Sequence, residues 1–134
     1  VDSHHFTPVV NKSLKYLFKK DFSSFKKKKS FFAMTAHIVF SKIDKINTVT
    51  HSKKAIKLIR SKIGFKNILI SDDLSMKSLK ESIKNNTIKT FKAGCNLALH
   101  CNGNLKEMEI VGKNSPYLDK FLQKKTSQFY KFLS

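Results

Sequence analysis

Apolar residues in this chain gather into short runs, and amphipathic stretches separate one run from the next. The first run, residues 31–40, reads Phe-Phe-Ala-Met-Thr-Ala-His-Ile-Val-Phe; its length and content predict a strand with His37 towards its carboxyl end. The second, Ile68-Leu69-Ile70-Ser71, runs straight into Asp72 and Asp73, and suits a strand buried on both faces, as in a parallel sheet. The third, residues 95–101, is Cys-Asn-Leu-Ala-Leu-His-Cys and predicts a strand ending near His100. Between the first two runs, Ser52 caps a helix whose stripe is Ala55, Ile56, Ile59 and Ile63, with Gly64 as its stop. Between the last two, residues 81–93 predict a helix with Ile88 and Phe91 inward and Gly94 closing it.

Outside this alternation the pattern is weaker. Residues 1–10 are polar, contain histidines and read as a loop, while 14–18 and 21–29 carry helical hints with Phe22 and Phe25 on one face. The Lys run at 26–29 is then a solvated helix end, and 41–50 is irregular. After the third strand, Asn102-Gly103 makes a turn, and Asn104 with Glu107 resembles a capping box for a short helix through Ile110. Ser115-Pro116 opens a C-terminal helix within 113–134, with Leu118, Phe121, Leu122, Phe129, Phe132 and Leu133 as its stripe. Strand and helix alternating three times predicts an α/β fold with a parallel sheet and right-handed crossovers. Three strands leave an apolar edge open, so upstream strands are expected to complete the sheet. Together with a first residue of Val1, this gives a single partial domain, 1–134, at the C-terminal end of something longer.

Composition narrows this only a little. A chain of 134 residues with 40% hydrophobic content and 12 Phe is one packed domain at most. The net charge of +18, from 27 basic against 9 acidic residues, raises nucleic acid or an anionic membrane surface as partner. Yet Arg60 is the only arginine among those 27, and base recognition leans on the arginine fork. Scattered lysine with Ile, Asn and Phe is equally the mark of an AT-rich genome. Cys95 and Cys101, on one strand, would lie about 20 Å apart at ~3.3 Å per residue. That is too far for a disulfide, which needs roughly 7 Å, so reduced thiols and a cytoplasmic location are expected. No apolar run approaches the 18 or so residues of a membrane span, and no signal peptide is visible.

The three strands end in His37, Asp72 and His100, which a parallel sheet would bring to one rim, where ligands bind in α/β folds. Asp72 is the candidate for chemistry and Asp73 the candidate cap of the following helix; either carboxylate could instead be purely structural. A histidine ending an apolar strand can equally be a satisfied core residue. Asp2-Ser3-His4 adds a carboxylate two residues from an imidazole, which it could orient and make more basic.

Four segments taken in order resemble glycoside hydrolase family 3, and specifically its bacterial β-N-acetylglucosaminidases of peptidoglycan recycling. They are Asp2-Ser3-His4, Met34-Thr35-Ala36-His37, Ile70-Ser71-Asp72-Asp73-Leu74-Ser75-Met76, and the stretch from Ala93-Gly94-Cys95 through Asn102-Gly103; the likeness runs from residue 1 to about residue 112. The resemblance implies a (β/α)8 TIM barrel of which this chain holds the last three strands with their helices. It implies a retaining hydrolase that removes terminal β-linked N-acetylglucosamine from peptidoglycan fragments through a covalent glycosyl-enzyme. It assigns the nucleophile to Asp72 and the general acid/base to His4 with Asp2 as its partner, a departure from the usual pair of carboxylates. It places His37 and Met76 in the wall of the sugar pocket. Carbohydrate is then the partner, with neither nucleic acid nor membrane expected, and no cofactor or metal is implied.

Members of that family also carry a Lys-His-Phe-Pro-Gly-type segment before the Asp-Ser-His loop and sugar-clamping residues on earlier strands, which are missing from this sequence. Positioning can supply about 7–11 kcal/mol of a barrier in favourable cases, so the 134 residues alone are expected to be inactive and poorly folded. Two other readings stay open on the sequence: a small Lys-rich nucleic-acid-binding protein, and the inactive remnant of a decayed gene. Aglycone preference and oligomeric state have no signal.

Overall fold

The computed structural model of the chain describes residues 6–26 and 28–133. Its centre is a three-stranded parallel sheet in the order β2 (Phe32–Met34), β4 (Ile68–Asp73), β5 (Leu97–Leu99). A small parallel pair joins β1 (Val9–Val10) to β3 (Val39–Phe40). The helices are α1 (Leu14–Lys19), α2 (Lys53–Leu58), α3 (Ile83–Ala93), α4 (Leu105–Asn114) and α5 (Lys120–Leu133). The expected parallel α/β architecture is therefore present.

The central strand is buried on both faces: Ile68 and Leu69 are each 1% exposed although their side chains point to opposite sides. Leu69 joins Ile56 of α2, Phe65, Ala93 of α3 and Cys95 in the core, with Ala33 of β2 and Ile59 packed against it. The caps fall where the sequence places them for α2 and α4. Ser52 Oγ accepts from Ala55 N at 3.2 Å, and Asn104 Oδ1 accepts from Glu107 N at 3.3 Å. A π turn, Ile59–Ile63, continues α2 to a left-handed Gly64, so the stripe ending at Ile63 is one rod with a widened last turn.

Several expectations are corrected. The run 31–40 is not one strand: it breaks after Met34, and its two ends pair in different sheets. The break follows from Thr35 and His37, whose buried polar groups turn inward to Thr50, while Val39 N bonds Pro8 O at 2.9 Å. Residues 9 and 10 are accordingly strand and not loop. The hints at 21–29 resolve to a 3-10 turn, Phe22–Phe25. The inward face of α3 is Asn86, Thr87, Thr90 and Ala93, whereas Ile88 and Phe91 are only half-buried. After the third strand the expected helix through Ile110 runs on to Asn114, where Ser115 N bonds Gly112 O and Pro116 has no amide to offer. The last helix therefore begins at Lys120 and not at Ser115-Pro116; Asp119 caps it by accepting from Leu122 N at 2.7 Å. Of its stripe only Leu122 is fully buried, and Phe129 stacks edge-on against Phe31 and Phe32. Cys95 is a buried free thiol and Cys101 an exposed one. No helix among the described residues is long and apolar enough to cross a membrane.

Candidate active site

The site begins with an irregularity in β4. Ile70 pairs with Leu97 but Asp73 pairs with Leu99, so two residues of β4, Ser71 and Asp72, stand against the single Ala98 of β5. That is a β-bulge, which kinks a strand and re-aims the side chains at its end. The ladder is repaired by a side chain: Ser71, fully buried, accepts from Leu99 N through Oγ at 2.9 Å. Asp72 is left half-buried at the carboxyl end of the strand, and its Oδ1 accepts from Asp73 N at 2.9 Å.

Asp73 faces the other way and is consumed by structure. Its Oδ1 accepts from Ser75 N and from Cys101 N, both at 3.0 Å, and its Oδ2 from Ser75 Oγ at 2.7 Å. Burial pushes this carboxyl up, but the Ser75 hydroxyl, those two amides and the nearby His100 outweigh it and hold it below the usual range. No helix follows at once, so Asp73 caps a turn and ties β4 to the end of β5; α3 is capped by Ser82. The peptide carbonyl of Asp73 is held as well, by Met76 N at 3.2 Å and by His37 Nε2 at 2.8 Å. Met76 is half-buried on that turn.

His37 is fully buried in the loop beyond β2, its Nδ1 2.9 Å from Thr50 Oγ1, and Thr50 Oγ1 lies 2.9 Å from Thr35 Oγ1. Burial drives the imidazole down, against the pull of the Asp73 carbonyl and the charges of Asp72 and Asp73. Both ring nitrogens are engaged within the protein, so His37 acts on its surroundings through the backbone it holds. His100 is bonded to the neighbouring helix: its Nε2 sits 2.8 Å from Glu107 Oε2 at the start of α4, and Asn102 Nδ2 donates to the same oxygen at 2.7 Å. The pair and the amide together keep the Glu107 carboxyl low. Of the three strand-end groups, His37 is thus hydrogen-bonded to the Asp72-Asp73 pair, while His100, within electrostatic reach of Asp73, is bonded to Glu107 of the neighbouring helix.

Asp2 and His4 lie outside the described residues. The chain just after them is anchored close to the site, for Thr7 Oγ1 donates to Ser78 O at 2.5 Å, on the loop that follows Asp72 and Met76. Ser71, Thr35 and Thr50 were missed from sequence; the one available signal was the i, i+2 pair of polar residues, Thr35 and His37, inside an apolar run. A cavity of about 300 Å³ lies elsewhere, lined by apolar residues including Phe22, Phe25, Phe40, Leu58 and Leu69, and none of Asp72, Met76 or His37 borders it. Among the described residues no group of three His, Cys, Asp or Glu side chains could hold a metal ion.

Comparison with known proteins is decisive on the family. The model for the glycosyl hydrolase family 3 N terminal domain matches residues 1–123. The chain belongs to that family. It is 33% identical over 135 residues to a beta-hexosaminidase of Psychromonas ingrahamii, covering 96% of this chain and 38% of the relative. A beta-hexosaminidase of Haemophilus influenzae is 32% identical over 108 residues, covering 75% and 30%. Among solved structures, native NagZ from Neisseria gonorrhoeae superposes with a TM-score of 0.77 at 28% identity, covering 92% of this chain and 37% of that one. The NagZ complex with N-trifluoroacetyl-D-glucosamine gives 0.76 at 26% identity, covering 94% and 37%. The chain therefore spans only 30–38% of the length of these relatives.

Proposed function

We propose that this chain carries the nucleophile-bearing part of a retaining β-N-acetylhexosaminidase, and that its three-stranded sheet is the last three strands of a (β/α)8 barrel. The observation that carries this is Asp72 on a bulge at the carboxyl end of the central parallel strand, with Asp73 locked in place beside it. The Asp72 carboxylate attacks the anomeric carbon of a terminal β-linked N-acetylglucosamine as the bond to the leaving oxygen breaks, forming a glycosyl ester. His4, oriented by Asp2, gives its proton to that oxygen, then takes one from the water that attacks the same carbon and frees Asp72. An imidazole titrating near neutrality suits both halves of that task. The anchoring of Thr7 on the loop after Asp72 supports delivery of the Asp2-Ser3-His4 segment to this edge. Met76 lines the sugar site from the same loop, and His37 contributes to it through the Asp73 carbonyl. Peptidoglycan fragments are the substrate class and the cytoplasm the location that fit such an enzyme; the sugar-analogue complex of the gonococcal relative supports the amino-sugar part. The nucleic-acid alternative has net charge alone behind it.

The test is Asp72→Asn in the polypeptide as its gene encodes it, assayed on a chromogenic β-N-acetylglucosaminide. Turnover is expected to fall on the order of 10⁴-fold with circular dichroism unchanged. Activity within a few-fold of wild type would remove Asp72 from the nucleophile's role.

A further inference from the structure

Three buried polar side chains behind the site form a chain whose hydrogens can be placed by elimination. The Asp73 carbonyl can only accept, so His37 Nε2, 2.8 Å away, carries the proton. In the neutral ring Nδ1 must then accept, and the hydroxyl 2.9 Å from it is that of Thr50. With its hydrogen committed to His37, Thr50 Oγ1 accepts from Thr35 Oγ1 at 2.9 Å. Thr50 and His37 are fully buried and Thr35 is 4% exposed, so no solvent stands by to replace a lost partner.

We propose that Thr50 is a positioning residue for the glycosidase chemistry: its hydroxyl, donating to Nδ1, holds the Nε2–H ring of His37 in place, the ring clamps the Asp73 carbonyl, and the clamp sets the direction of the Asp72 carboxylate. The proposal rests on Asp72 being the nucleophile. A clamp is needed on the β2 side, because β4 bulges and runs on to Asp73 while its pairing with β2 ends at Ile70. Towards β5 the strand end is held by Ser71 Oγ on Leu99 N, Leu74 N on Leu99 O and Cys101 N on the Asp73 carboxylate; towards β2 it is held by His37 on the Asp73 carbonyl. Thr50 is 13 residues from His37 in sequence, on a 3-10 turn, Val49–His51, outside the strands that form the rim.

The experiment compares Thr50→Val, which keeps the shape and removes the hydroxyl, with Thr50→Ser, which keeps the hydroxyl, in the polypeptide as encoded. For Thr50→Val, kcat should fall by about 10²-fold, the scale of a 1 Å misplacement, while KM moves less than about threefold. Thr50→Ser should restore kcat to within about threefold of wild type. Nitrogen-15 NMR of the wild-type imidazoles should show His37 neutral and protonated at Nε2, a measurement that needs neither variant to fold nor turnover to be observed. A wild-type His37 protonated at Nδ1 overturns the proposal outright, as does a Thr50→Val enzyme with wild-type kcat, or a Thr50→Ser enzyme no better than Thr50→Val. If Asp72→Asn abolishes turnover while Thr50→Val does not, the clamp is wrong and the nucleophile stands; if Asp72→Asn retains turnover, the nucleophile is wrong.

Discussion

At the scale of single residues, the groups that matter here are those whose charge or hydrogen bonds are decided by burial. His51 is the plainest case. Burial, reinforced by the nearby His37 and Lys89, drives its imidazole down to about 4 from an ordinary 6.5. A base whose folded value is depressed binds its proton more readily when unfolded. Its neutral form therefore stabilises the fold fully above pH 6.5, and that contribution is lost as pH falls towards 4. Urea midpoints measured across that window should decline on the acid side, and His51→Leu should flatten the decline; an unchanged slope would mean His51 is not buried neutral. The place of Asp72 at the end of a buried strand could be read from sequence because aliphatics that run into a carboxylate mark a strand leaving the core. Thr50 could not, since it sits in the irregular stretch 41–50 and its partners, Thr35 and His37, are 15 and 13 positions away.

At the scale of elements, the parallel layer was legible because each strand and helix carries its own period and cap. Ser52, Gly64, Ser82, Gly94 and Asn104 all lie at helix ends. Breaks inside apolar runs were not legible. Residues 31–40 read as continuous because hydrophobicity is, and only the pairing of β1 with β3 and the inward turn of His37 divide them. The two helix stops give a graded prediction. Gly64 has a φ of 85° with open space where a Cβ would go, so Gly64→Ala should cost about 1–2 kcal/mol, the strain of a left-handed residue. At Gly94 φ is 115° and the new Cβ would meet Ile56 Cγ2 at 3.0 Å, inside the core. Gly94→Ala should therefore lower the urea midpoint further than Gly64→Ala does; equal losses would show that the core gives way freely at Ile56.

At the scale of the whole molecule, two quantities dominate: an open sheet and a charge of +18. Among the described residues β2 and β5 each have one unpaired edge within the three-stranded sheet, and large apolar side chains such as Met34, Leu105 and Phe132 are 61%, 68% and 72% exposed. We expect the 134 residues alone to bind a hydrophobic dye strongly and to leave a chromogenic β-N-acetylglucosaminide unhydrolysed. Measurable turnover by them would show that the catalytic positioning is already complete in this segment. The charge acts on stability through self-repulsion, which salt screens over about 10 Å at 0.1 M. The melting temperature should accordingly rise as sodium chloride goes from about 0.01 M to 0.1 M, and a fall would point to ion pairs outweighing repulsion.

The bond from Thr7 to the carbonyl of Ser78 joins positions 71 apart, and this has a consequence for biosynthesis. A ribosome adds roughly 5–20 residues per second, so the acceptor is made roughly 4–14 s after its donor and is released from the exit tunnel later still. For that interval the segment around Thr7 lacks this one anchor. A chaperone that grips nascent polypeptides would find it available, and slowing translation between the two positions should lengthen its exposure to proteases in proportion.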